Sequence, residues 1–232
     1  MTPALVFDSV SFAYSGGKEV LRDVSFSLEV GKSYALVGPT GQGKSTTASL
    51  MSRLYQPTSG TITIAGKLLN TWTEDELAAH IGFILQDPFL FSGTVLDNII
   101  YGNVQFDRFS DSTFERRFSE FEKILIAQGL HDLIARFPDG LKTEVSNNSE
   151  NISFGQRQIV NFLRTILRKP KLLILDEATA NLDTVTEQLL QKIMDALPSD
   201  VTTVIIAHRL NTVKNVDQVF LVGALSVEPG EV

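Results

Sequence analysis

The sequence predicts an α/β fold: a mainly parallel sheet flanked by helices, an antiparallel β subdomain at the N-terminus, and an inserted α-helical subdomain. Three observations carry this prediction. A short apolar segment, Ser33–Val37, runs into a glycine-rich loop and then into a stretch of helical character, Thr46–Tyr55. Two unbroken runs, Leu172–Leu175 and Val201–Ala207, are rich in Leu, Ile and Val, as strands covered on both faces of a parallel sheet are. From Thr94 to Arg168 strand signals fade, and apolar residues recur at three- or four-residue spacing.

Each element follows in turn. Val6, Val10, Phe12 and Tyr14 form a β-type pattern that stops at the turn Ser15-Gly16-Gly17, and Val20–Leu28 resumes it. Gly31-Lys32 closes that strand and leads to the glycine loop. Pro57–Gly60 reads as a turn, Thr61–Ile64 as a strand, Glu74–His80 as a short helix and Ile81–Leu85 as a strand. Phe114, Phe118, Phe121, Ile124, Leu125 and Gln128 keep helical spacing. Leu130, Leu133, Ile134 and Phe137 do the same before the turn Pro138-Asp139-Gly140. A helix over Val185–Leu197 separates the two buried runs, and Asp217–Val222 reads as the last strand. Gly223–Val232 is too short and mixed to assign. The expected organisation is one domain, 1–232, with a core and β subdomain in 1–93 and 169–232 and a helical subdomain in 94–168.

Hydrophobic residues make up 43% of the chain and charged residues 20%, ordinary for a globular protein with a sizeable core. With no cysteine, disulfides, thiolate catalysis and zinc–thiolate sites are excluded. The net charge of −7 weighs against a nucleic-acid-binding surface. No apolar run approaches the ~20 residues that span a bilayer. Met1-Thr2-Pro3 leads straight into strand-like sequence with no signal peptide. Any membrane-spanning part is therefore expected from a partner or another segment.

The glycine loop reads Gly38-Pro39-Thr40-Gly41-Gln42-Gly43-Lys44-Ser45, the G-x-x-x-x-G-K-S spacing of a phosphate-binding loop, in the strand–loop–helix context that spacing requires. Glycines let successive backbone N–H groups curl inward, and the positive end of the following helix adds to their field. Lys44 is placed to reach β- and γ-phosphates, and the Ser45 hydroxyl to sit on Mg²⁺. The expected core is thus of the P-loop NTPase kind. Lys171–Glu177 is an apolar strand ending in two acids. Asp176 is the expected anchor for Mg²⁺, and Glu177, one residue on, the expected general base facing an attacking water. Alone, such a pair is more readily a solvated strand end; after a phosphate loop the metal-and-base reading takes over. Asn151–Gln158 opens a helix whose start could serve as a second anion-binding terminus, but by the residues alone a plain N-cap is the default reading of Ser153.

The phosphate loop, the Ile152–Gln156 stretch and the Leu172–Glu177 strand, in this order and at these separations, resemble the nucleotide-binding domain of ABC transporters, with Thr143-Glu144-Val145 similar to the exporter type. The resemblance runs from about Leu5 to Val222. It implies ATP and Mg²⁺ as ligands. Gly38, Thr40, Gly41, Gln42, Gly43, Lys44, Ser45 and Thr46 are then the phosphate cradle, and Ser45, Gln86 and Asp176 the metal-holding residues. Tyr14 matches the aromatic that stacks on adenine, although a plain strand aromatic is its ordinary reading. Gln86 matches the glutamine that touches the metal and the attacking water. Phe89-Leu90-Phe91 resembles the apolar groove that receives a transmembrane domain, although by the residues alone all three read as core. Asn181-Leu182-Asp183 matches the loop at the dimer interface, and His208 the histidine at the γ-phosphate. Ser153, Gly155 and Gln156 match the signature that acts on the ATP of a second nucleotide-binding domain, in a homo- or heterodimer. The implied setting is the cytoplasmic face of a membrane, reached through a transmembrane domain absent from this chain. His80 and His131 match no motif.

Two departures from the family pattern stand out. The signature is Ile152-Ser153-Phe154-Gly155-Gln156, with Phe154 in place of glycine, and Ser146-Asn147-Asn148-Ser149 replaces the usual glycine and glutamate upstream. The 102–114 stretch is also longer than usual. Alternative expectations are a soluble ABC ATPase acting on nucleic acid or the ribosome, and a degenerate subunit that binds ATP for regulation.

Overall fold

The computed structural model describes residues 2–103, 106, 114–176, 184–195, 197–207, 216–223 and 225–230. The chain divides into two compact units: Met1–Leu85, Lys169–Glu177 and Pro198–Val232 in one, Gln86–Arg168 and Ala178–Leu197 in the other. The second unit thus takes in 86–93 and the helix before Leu197 as well as the stretch from 94 to 168 that its helical periodicity singles out.

In the first unit, β1 (Leu5–Ala13) and β2 (Glu19–Leu28) form an antiparallel hairpin. With β4 (Ser59–Ile64) and β5 (Lys67–Leu68) they make a four-stranded sheet of order β2-β1-β4-β5. Leu5 and Phe7 face inward by alternation, and an irregularity at Ser9 (φ 52°) shifts the phase so that Val10 and Phe12 face inward after it. β4 starts at Ser59, inside the segment expected to be a turn, because Ser59 and Thr61 pair with Ser11 and Asp8 across the ladder.

The central sheet contains β3 (Ser33–Val37), β6 (Ile81–Ile84), β9 (Leu172–Asp176), β10 (Thr202–Ile206), β11 (Gln218–Gly223) and β12 (Ser226–Gly230), in the order β12-β11-β3-β10-β9-β6. All neighbours are parallel except β11 and β12. β11 is therefore not the last strand. β12 escapes the sequence pattern because Pro229 and Gly230 are poor strand residues, tolerated here at an edge. Phe7 stacks on Phe26 at 4.6 Å and Phe26 meets Phe220 at 5.0 Å, joining the two sheets through one core. Each such buried ring contributes roughly 1.5–3 kcal/mol.

α1 (Lys44–Met51) ends four residues short of the expected Tyr55. Ser52 turns its hydroxyl back onto the carbonyls of Ala48 and Ser49, and Arg53 takes a left-handed φ of 58°, which stops the helix. α2 (Glu74–His80) has the expected bounds, opened by a reciprocal Thr73–Glu76 capping box.

In the second unit, α3 (Val95–Ile100), α4 (Phe114–Ala127), α5 (His131–Ile134), α6 (Phe154–Ile166) and α7 (Thr184–Asp195) pack around Leu96, Phe121, Leu125, Ile159 and Leu163. A short antiparallel pair, β7 (Gly93–Thr94) with β8 (Glu144–Val145), sits within this helical unit. Asn151 holds it in place, its amide nitrogen donating to the Glu144 carbonyl and its oxygen accepting from Ser146.

Candidate functional site

β3 delivers the chain into the glycine loop, and the loop's shape follows from what its glycines abut. Gly38 has φ 150°, and a Cβ there would lie 2.1 Å from the Val222 carbonyl oxygen. Gly43 has φ 102°, and its Cβ would press on Val20 and Leu21 side chains at 3.1 and 3.3 Å. Gly43 is also the N-cap of α1, with no side-chain cap and no acid in the first turn. The first helical N–H to bond back is that of Thr47, to the Gly43 carbonyl at 2.8 Å. The preceding amides have no intrahelical acceptor, so the helix presents donors and the positive end of its dipole at its start.

Lys44 is 4% exposed, and its ammonium donates to the carbonyl oxygens of Gly38 at 2.8 Å and Pro39 at 3.0 Å. The side chain thus bends back over the loop, and its charge lies where a bound polyanion would run. Ser45 is exposed in the first turn, while Thr46 is buried. Thr40 and Gly41 are exposed and Gln42 is half-buried. The Tyr14 hydroxyl lies 2.9 Å from Thr46 Oγ1, and its ring meets Phe12 and Tyr55 edge-on at 4.9 and 5.2 Å. The ring is 41% exposed, so it stands beside the loop with area left for a flat ligand.

Asp176 ends β9. It is in register with Ile206 on β10, which is in register with Leu36 on β3. At about 4.8 Å per strand, its backbone lies ~10 Å from that of Leu36, at the same carboxyl edge that feeds the loop. Ligands of open α/β sheets bind at this edge. Oxygen donors from Ser45 and Asp176 suit Mg²⁺, which prefers hard oxygen ligands. Glu177, Asn181, Leu182, Asp183 and His208 lie outside the described residues.

The second unit holds the other predicted residues. Ser153 caps α6: its hydroxyl accepts from the Gln156 amide at 3.2 Å, and Gln156 Oε1 accepts from the Ser153 amide at 2.9 Å. Gln156 Nε2 donates to the Arg136 carbonyl at 2.7 Å, and the Arg136 guanidinium donates to Thr186 Oγ1 at 2.8 Å. These residues, with Gly155 and Ile159, line a cleft of about 250 Å³. Phe154 does not line it; the Phe154 ring lies half-buried 5.8 Å from the Arg157 guanidinium. Gln86 is exposed, and its carbonyl accepts from Gln158 Nε2 at 2.7 Å. Of the three expected groove residues only Phe89 is fully presented, at 74% exposure. Leu90 is a core residue, 2% exposed, and Phe91 is half-buried against Tyr101. The chain alternates sides there, so Leu90 leaves the expected groove for the core.

Sequence reasoning did not single out Asn98, Arg136, Arg164 or Thr186. Arg164 had a signal: with Arg157 and Asn161 it forms a polar row along α6, next to the apolar face.

Strand, glycine loop, uncapped helix and strand-end acid on a parallel sheet define a P-loop nucleotide-binding domain. The family model described as ABC transporter matches residues 21–180, and the chain belongs to that family. It is 42% identical over 218 residues to the ABC transporter ATP-binding protein YfiC of Bacillus subtilis, covering 94% of this chain and 34% of that one. It is 41% identical over 216 residues to human ATP-binding cassette sub-family B member 6, covering 93% and 24%. The structure of a bacterial Atm1-family ABC exporter with ATP bound matches at a TM-score of 0.84 and 36% identity, over 99% of this chain and 39% of that one. The chain thus spans about a quarter to a third of the length of these curated relatives.

Proposed function

We propose that this chain binds and hydrolyses Mg-ATP as the nucleotide-binding domain of an exporter-type ABC transporter. The observation that carries this reading is the Lys44 ammonium bent over a glycine loop that opens an uncapped helix. That arrangement puts a lysine, oriented amides and a helix dipole on one anion site. The relatives supply the exporter context.

In this reading Gly38–Thr46 hold the triphosphate and Tyr14 carries the adenine. Ser45, Gln86 and Asp176 would supply the oxygens that hold Mg²⁺, and the ion would offset charge on the phosphates. Glu177 takes the proton of the attacking water, and His208 contacts the γ-phosphate. Ser153, Gly155, Gln156 and Asp183 act on the ATP of a second nucleotide-binding domain in a head-to-tail pair. The Ser153 hydroxyl accepts from its own helix, which leaves its proton for a phosphate oxygen. Phe154 does not line the 250 Å³ cleft beside Ser153. Phe89 and its neighbours receive a transmembrane domain at the cytoplasmic face. No helix among the described residues is long and apolar enough to cross a membrane.

The test is phosphate release. Glu177→Gln is expected to retain ATP binding, slow turnover at least ~100-fold and accumulate an ATP-bound dimer. Unchanged steady-state hydrolysis in that variant would remove the general-base role.

A further inference from the structure

The segment Gln86–Phe91 is held by its main chain, and among the described residues two of the four side chains holding it belong to α6. Gln158 Nε2 donates to the Gln86 carbonyl at 2.7 Å. Arg164 Nη1 donates to the Phe89 carbonyl at 3.2 Å. The Ser149 hydroxyl approaches the Leu90 carbonyl at 3.4 Å. Phe91 exchanges two bonds with Asn98: its amide donates to Oδ1 at 3.1 Å, and its carbonyl accepts from Nδ2 at 2.9 Å.

Asn98 is fully buried and is itself locked. Its Nδ2 also donates to the Thr94 carbonyl, Arg164 Nη2 donates to its Oδ1 at 3.2 Å, and Arg164 Nε donates to its main-chain carbonyl at 2.7 Å. The Arg164 guanidinium also lies 5.6 Å from the Phe91 ring. One planar side chain therefore ties α6, α3 and the 89–91 backbone together. Lysine has neither the fork nor the plane to do this. The main chain is fixed, yet Phe89 and Gln86 remain exposed.

We propose that Arg164 is a positioning residue that makes Gln86–Phe91 and the signature helix α6 move as one body, so that a displacement at Phe89 reaches Ser153 without loss. The helix carries it ~16 Å, eleven residues at about 1.5 Å each. The inference rests on the proposed roles of Gln86, Phe89 and Ser153. It adds the residue that joins them.

The test is hydrogen–deuterium exchange on the chain and on Arg164→Gln and Arg164→Lys, with and without Mg²⁺ and the non-hydrolysable analogue AMP-PNP. Without nucleotide, Arg164→Gln is expected to speed exchange in 86–91 at least tenfold and to leave 38–46 unchanged. Arg164→Lys should fall between and carries the test if the glutamine variant does not unfold cooperatively. With the analogue, the native chain should slow in 38–46, 86–91 and 153–158 together. Arg164→Gln should keep the first response and lose that of 86–91, which a purely structural loss of stability would not do selectively. Exchange in 86–91 within twofold of the native chain, or an intact nucleotide response there, overturns the inference. If the native chain shows no response in 38–46, the nucleotide reading fails instead, and the nucleotide-free comparison still judges the clamp.

Discussion

The ammonium nitrogen of Lys44 sits 2.8 Å from the carbonyl oxygen of Gly38, so the loop's lysine closes back on its first residue. A triphosphate entering the loop would offer this buried cation stronger acceptors than two neutral carbonyls. Lys44→Ala is expected to lower ATP affinity about 10–100-fold, the scale of one or two charge-assisted hydrogen bonds. Isothermal titration decides it: native-like affinity in the alanine variant would mean the loop holds nucleotide without the lysine.

Gly38 is fixed by space as well as by φ. An alanine methyl would meet the Val222 carbonyl at 2.1 Å, and both belong to backbone that cannot swing aside. Gly38→Ala is expected to destabilise the fold by ~2 kcal/mol or more. That corresponds to a fall in Tm of about 4–8 °C for a chain of this size. A calorimetric Tm within a degree of the native value would show that β11 yields.

The Tyr14 ring and its hydroxyl can be separated. Tyr14→Phe keeps the ring and drops the contact to Thr46. Tyr14→Ala drops both. The alanine variant is expected to lose about 1–3 kcal/mol of ATP binding, and the phenylalanine variant much less. Neither should alter the binding of inorganic tripolyphosphate, which has no base to stack. A parallel loss for tripolyphosphate would assign Tyr14 to the loop's structure instead.

His80 makes the first unit acid-sensitive. Partial burial, then the nearby Lys171 charge, hold its imidazole below the usual 6.5. Its ring lies 4.8 Å from Trp72. On acidification the unfolded chain takes up this proton before the folded one. The stabilisation is therefore complete above about pH 6.5 and declines as the pH falls through the folded-state value. His80→Gln should flatten the urea-unfolding free energy between pH 7 and 5. An unchanged slope in that window would place the acid sensitivity elsewhere.

Much of this architecture was readable because it is local. Gly38–Ser45, the apolar run ending at Asp176 and the helix over Glu74–His80 each declare themselves within a few residues. What escaped depended on distant partners. α1 stops at Met51 because of serine hydroxyls and a left-handed Arg53, and β12 forms because β11 offers an edge. Leu90 reads as groove by likeness and is core by packing. Asn98 and Arg164 have meaning only once α3, α6 and the 89–91 backbone meet. The expected roles of Glu177, Asp183 and His208 fall outside the described residues and rest on the Glu177→Gln experiment and its equivalents.

Pro229 lies on the outermost strand of the central sheet, opposite Phe220. Lacking an amide hydrogen, it interrupts the row of donors that another molecule would need to dock edge to edge. Polymerisation along this rim is thereby discouraged.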